Sequence, residues 1–261
     1  MAEKGKTTKT ILNILIVLVA CILVFCLYKL GSIWWGYHQN EVTQTKVQDL
    51  FYGRQEISGS DSVGEAQEYM FDLTPLILEN PDTVGWIKVP DTVIDYVVVQ
   101  AKDNDEYLHK NFYGEYNSAG TIFVDAANQM GSPLQNLILY GHRMKDDSMF
   151  GELGKYLDAE FFAKHPAFTF ITKDGVYDCE VFSVYQCTTE VEYCQTSFSN
   201  EQRQADYVSS CKQRSLYATD VEVTAQDTLI TLSTCDYVLD PHNGRLVVHA
   251  KLKLKEENKN G

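Results

Sequence analysis

Two stretches decide the fold: Thr228-Leu-Ile-Thr-Leu-Ser-Thr-Cys235 and Arg245-Leu-Val-Val-His-Ala-Lys-Leu-Lys-Leu254, joined by a loop, Asp236 to Gly244. In the second, Leu246, Val248, Ala250, Leu252 and Leu254 fall on one side, with His249, Lys251 and Lys253 on the other. That alternation is the pattern of a half-buried strand. Working outward, similar β-type runs recur between turn residues: Gly85 to Val89, Val93 to Gln100, Gly120 to Asp125, Gln135 to Tyr140, Ala167 to Thr172 and Tyr177 to Cys187. Eight strands with few intervening helices predict an all-β dominated fold closed into a β-barrel. The pattern predicts one helix from near Ser148 to Lys164. Asp147 or Ser148 would cap it, Met149, Phe150, Leu153, Leu157 and Phe161 would form its apolar stripe, and Pro166 would stop it. A second is predicted from about Asn200 to Tyr217, on Ala205, Val208 and Cys211, and a short one at Asp103 to Lys110.

The chain has 261 residues, 44% of them hydrophobic and 12% aromatic, enough to bury a core, so disorder is excluded. Its net charge is −14. A protein that tracks nucleic-acid phosphates needs clustered Lys and Arg, so no nucleic-acid partner is expected. The charge is uneven: four lysines against Glu3 give residues 1–36 a charge of +3, which leaves −17 on the rest.

From Ile11 to Tyr28 the chain has 18 residues without a charge and one polar side chain, Asn13, long enough to cross a bilayer core as a helix. Lys4, Lys6 and Lys9 precede the run, and Trp34, Trp35 and Tyr37 follow it at the position of an interfacial aromatic belt. The expected organisation is a cytoplasmic basic tail (1–10), an uncleaved single-pass signal anchor (11–33), an extracellular helical stalk (34–73) with interruptions at Gly53 and at Ser58 to Ser62, a β-barrel domain (74–256) and a short tail (257–261). Cys21 and Cys26 lie in the span. Cys179, Cys187, Cys194, Cys211 and Cys235 lie beyond it, an odd set whose spacing demands no disulfide.

Cys235 ends its strand at the edge of a loop, where a thiol is accessible and a thiolate is a good nucleophile. Such a group needs a proton partner. His142 follows the strand ending at Tyr140 through one glycine, so it also stands at a strand end. His242, in the loop after Cys235, competes with it. His38, His165 and His249 are set aside, the last as a residue on the polar face of its strand. If the last two strands pair antiparallel, Arg245 returns beside Cys235 and offers fixed donors to a developing oxyanion. Arg143 is set aside as an incidental neighbour of His142.

Thr231-Leu-Ser-Thr-Cys235, Tyr140-Gly-His142 and Gly244-Arg245 together resemble the sortase signature. Gly141-His-Arg-Met-Lys-Asp-Asp-Ser-Met-Phe-Gly151, Cys235-Asp-Tyr237 and the helix between the sixth and seventh strands look like class B sortases. The resemblance covers about residues 75–255. It implies a membrane-anchored cysteine transpeptidase of mainly Gram-positive bacteria. Such an enzyme cuts a C-terminal sorting motif of surface proteins after Thr, holds the acyl group as a thioester, and passes it to an amine of a cell-wall precursor, lipid-linked peptidoglycan. It implies Cys235 as nucleophile, His142 as general acid/base, Arg245 as oxyanion and substrate clamp, and no cofactor or metal. Asn104, Leu108, Tyr140, Thr189, Tyr193, Ser233 and Asp236 match positions of the class B substrate groove. Cys194 stands where relatives often have an aliphatic residue. A pilin-polymerising sortase, an exported thiol hydrolase and a non-enzymatic surface adhesin are the competing readings.

Overall fold

A computed structural model describes residues 2–58, 72–130 and 133–257. The first helix, α1, runs unbroken from Ala2 to Ser58, through Gly53. The part of the expected interruption at 59–62 lies outside the described residues. The chain forms two compact units, residues 1–42 and 43–261. In the first, the large apolar side chains from Leu12 to Trp35 are each more than half exposed, and the run is long and apolar enough to cross a membrane.

The second unit is a closed barrel of eight strands in the order β1-β2-β3-β4-β7-β8-β6-β5. The strands are β1 (Thr83–Lys88), β2 (Asp95–Val99), β3 (Ile122–Val124), β4 (Asn136–Tyr140), β5 (Ala167–Ile171), β6 (Gly175–Thr188), β7 (Leu229–Cys235) and β8 (Gly244–Glu257). Each falls on one of the eight runs read from the sequence. Two neighbours are parallel, β2 with β3 and β4 with β7, while β5 closes on β1 antiparallel. Leu246, Val248 and Ala250 of β8 point into the barrel with Ile230, Leu232, Leu137 and Leu139.

Part of the sequence read as stalk packs on the barrel. Val47 and Phe51 of α1 are buried, and the Phe51 ring stacks on Trp86 with centroids 4.1 Å apart. A short helix, α2 (Thr74–Glu79), precedes β1 and buries Leu76.

The helix expected from Ser148 to Lys164 is split. A 3-10 helix spans Gly151–Leu157, and the α-helix α3 spans only Ala159–Lys164. The break is Asp158, whose carboxylate accepts from the backbone N–H of Glu160 and Phe161 and so caps a new helix. The segment around 103–110 has one 3-10 turn, Glu106–Leu108. The last helix, α4 (Glu201–Arg214), starts on an Asn200 cap and buries Gln204, Tyr207, Val208 and Cys211. Of the expected stripe only Ala205 is exposed.

The strands beneath α4 depart from simple alternation. A bulge in β6 between Val181 and Ser183 breaks the period. Val181 and Val184 then face the barrel core, while Phe182, Tyr185 and Cys187 join Val208 and Cys211 outside it. His249 is corrected by the same packing. It is fully buried rather than on a solvated face, between the Tyr185 hydroxyl (2.9 Å) and the Thr231 hydroxyl (2.8 Å).

Candidate active site

The parallel pairing of β4 with β7 sets Tyr140 opposite Ser233. Two residues further along each chain stand His142 and Cys235, so one register brings both to the same end of the barrel. The ladder continues past the strand ends: Gly141 N–H donates to the Ser233 carbonyl (3.3 Å), and the Thr234 hydroxyl donates to the Gly141 carbonyl (2.8 Å). No side chain fits at Gly141. A Cβ there would collide with Ile122 Cδ1 and lie 2.7 Å from Phe150 Cδ2. The antiparallel pair β7–β8 sets Cys235 directly opposite Arg245, and β8 sets Arg245 opposite Cys187 of β6. Opposed residues in a ladder share a face, so Cys235, Arg245 and Cys187 form a row across three strands.

Cys235 is half-buried. The His142 ring lies within reach of the Leu108 carbonyl, with Nε2 2.8 Å from the oxygen. A carbonyl only accepts, so Nε2 carries a proton and Nδ1 is the nitrogen left to exchange one. The His109 ring stacks beside His142 with centroids 6.3 Å apart. His242 is exposed in the turn before β8, its backbone N–H bound to Asp240 Oδ1 at 2.8 Å. His165 pairs with Asp91 at 3.2 Å. Arg245 Nη1 donates to its neighbour's carbonyl, Gly244 O, at 2.8 Å.

Four of the expected groove residues fall into two linked groups. Tyr140 OH and Asn104 Nδ2 both donate to Asp125 Oδ2, at 2.8 and 3.2 Å, while Asn104 Oδ1 accepts from Ala126 N–H at 2.8 Å. Ser233 Oγ lies 3.4 Å from the Tyr193 hydroxyl. Cys194 contacts the hydroxyls of Tyr140 and Tyr193; burial pushes its thiol up to about 12. Burial likewise raises the Tyr193 phenol to about 12 and lifts the Tyr140 phenol further. These groups are therefore neutral donors at neutral pH. Thr189 is exposed past β6, and its N–H donates to the Asn243 carbonyl at 3.0 Å.

Asp236 differs from the others. Its side chain has no exposed surface. Oδ1 accepts from Arg143 Nη1 (3.1 Å), Val238 N–H (3.0 Å) and Leu239 N–H (3.4 Å), and Oδ2 accepts from Gln186 Nε2. Burial alone would raise this carboxyl; the Gln186 and backbone donors and the Arg143 charge hold it below the usual carboxylate range. The sequence reading set Arg143 aside and did not single out Asp125 or Gln186, whose side chains meet these residues. Asp125 left a trace, as an acid ending an apolar strand run. Among the described residues no three His, Cys, Asp or Glu side chains converge as a metal ion would require.

A sortase domain model matches residues 87–253. The chain belongs to the sortase family. Sortase B of Listeria monocytogenes is 39% identical over 242 residues, 92% of this chain and 96% of that protein. Sortase B of Staphylococcus aureus is 40% identical over 173 residues, 66% of this chain and 71% of that protein. Among solved structures, sortase B from B. anthracis in complex with AAEK1 has a TM-score of 0.72 at 43% identity, covering 85% of this chain and all of that one. A Staphylococcus aureus sortase B–substrate complex has a TM-score of 0.74 at 34% identity, covering 84% and 98%. The protein is thus a sortase B-like cysteine transpeptidase with an eight-stranded barrel. That family assignment displaces the reading of the barrel as a bare adhesin scaffold.

Proposed function

We propose that this sortase is a membrane-anchored enzyme that cleaves a C-terminal sorting motif after Thr, holds the acyl group on Cys235, and transfers it to an amine of the lipid-linked cell-wall precursor. The observation that carries the roles is the register of three strands. It sets Cys235 opposite Arg245 and brings His142 off β4 at the same level. In this reading the Cys235 thiolate attacks the threonine carbonyl. Arg245 donates to the oxygen as negative charge builds. The peptide C–N bond breaks as the His142 imidazolium gives a proton to the leaving amine, and a thioester remains. The neutral imidazole then takes a proton from the incoming amine, a new amide forms, and the thiolate is released. The Leu108 carbonyl supports this cycle by holding Nε2–H, which leaves Nδ1 to carry the proton back and forth. It serves the orienting purpose that a carboxylate serves in other thiol and serine enzymes.

The groove is read as Asn104, Leu108, Tyr140, Thr189, Tyr193, Ser233 and Asp236, the last with its side chain enclosed. The basic residues before the apolar run support a cytoplasmic N-terminus and an extracellular barrel. The test is thioester trapping. Purified enzyme is incubated with peptides ending in sorting motifs, with and without an amine acceptor. An acyl adduct on Cys235 that resolves faster when the amine is added supports the proposal. Release to water at the same rate with or without amine would overturn the proposed transfer to that acceptor.

A further inference from the structure

Arg143 and Asp236 each lie one residue beyond a group of the proposed site: Arg143 after His142 and Asp236 after Cys235. Their side chains meet at 3.1 Å. The third segment joins them, because Asp236 N–H donates to the carbonyl of Gly244 (2.8 Å), the residue before Arg245. Gly244 approaches so closely that a Cβ there would collide with the Asp236 carbonyl. Gln186 reaches the same carboxylate from β6. The Arg143 end is also braced, since Arg143 bridges to Met149 and Phe150 N–H donates to the His142 carbonyl at 3.0 Å.

A buried carboxylate is tolerated only when paired and hydrogen-bonded. The His142 loop therefore cannot drift from the Cys235 turn without leaving Asp236 enclosed and without its cation. The pair spans 93 residues of sequence and ties together the chain segments bearing all three proposed catalytic groups.

We propose that the Arg143–Asp236 ion pair is a strut that sets the separation of His142 and Cys235, which makes Arg143 a positioning residue for transpeptidation. The proposal rests on the roles assigned above. Neither side chain needs to touch substrate.

The test uses the full-length enzyme and a sorting-motif peptide. It measures kcat, KM and Tm for Arg143→Ala, Arg143→Lys and the double variant Arg143→Ala/Asp236→Asn. Lys145→Ala, an exposed charge on the same loop, is the control. Arg143→Ala should lower kcat by about tenfold or more with KM nearly unchanged, the mark of misplaced groups rather than lost binding. Arg143→Lys should recover part of kcat. The double variant should regain the Tm lost in Arg143→Ala, because no buried charge is left unpaired, while its kcat stays low. Wild-type kcat in Arg143→Ala would overturn the strut. So would a double variant that regains kcat together with Tm, since the pair would then only balance charge. A failure of the underlying roles looks different: Cys235→Ala would retain turnover, whatever the Arg143 variants do.

Discussion

Arg245 stands between two thiols, opposite Cys235 on one side and Cys187 on the other. Its proposed task needs the planar fork of a guanidinium as well as its charge. Lysine keeps the charge and loses the fork, so Arg245→Lys should be far from silent. Loss of one oxyanion donor costs about 10²–10³ in rate. Arg245→Ala should lose at least that much in kcat/KM with little change in Tm; near-normal transpeptidation would remove Arg245 from the site. The base is tested by a pair of variants. His142→Ala should lose about 10²–10⁴ in activity, the usual scale for a positioned acid/base. His242, exposed in a turn, should tolerate Ala with far smaller loss. The reverse ranking in a peptide-cleavage assay would exchange the two assignments.

At the scale of elements, α4 turns part of the outer barrel surface into a second core. It covers β6, β7 and β8 and closes His249 under the rings of Phe182 and Tyr207. Burial, with the nearby Arg214 charge, lowers the imidazole from 6.5 to about 3. The folded state therefore holds His249 neutral, while the unfolded chain protonates it near pH 6.5. The stability it contributes is complete above that value and is lost as pH falls from about 6.5 toward 3. Between pH 7 and pH 5 the loss is about 2 kcal/mol. Wild-type Tm should fall over that interval more steeply than that of His249→Gln, which keeps polar contacts without titrating. Parallel Tm–pH curves for the two proteins would show that the ring is not responsible.

For the whole molecule, the basic residues before the apolar run set the expected orientation. The apolar run of α1 follows three lysines, which favour the cytoplasmic side. Residues 1–10 should be cytoplasmic and the barrel should face the wall. Protease added to intact, wall-stripped cells should degrade the barrel. A protected barrel would refute the orientation, and a mature protein beginning after residue 30 would refute the anchor. The unit that carries the barrel starts at Thr43, so a catalytic fragment cut at residue 74 would expose the Trp86 face that Phe51 covers.

All eight strands were visible in the sequence because turn residues bound each run and side chains alternate along a strand with a period of two. The strand-end positions of Cys235, His142 and Arg245 were legible for a related reason, but the roles proposed for them came from the resemblance to the sortase signature, and the local pattern supported Arg245 least. Alternation reports only one chain at a time, however. His249 read as solvated because nothing near it in sequence announces that α4 lies across it. The helix from Ser148 read as continuous because its apolar stripe persists through Asp158, although that side chain restarts the helix. Arg143 read as incidental because its partner is 93 residues away. Local pattern determines where strands run and which residues end them. Which polar group is buried, and against what charge, is settled only when distant segments pack, because the cost of enclosing a charge depends on every neighbour that replaces water.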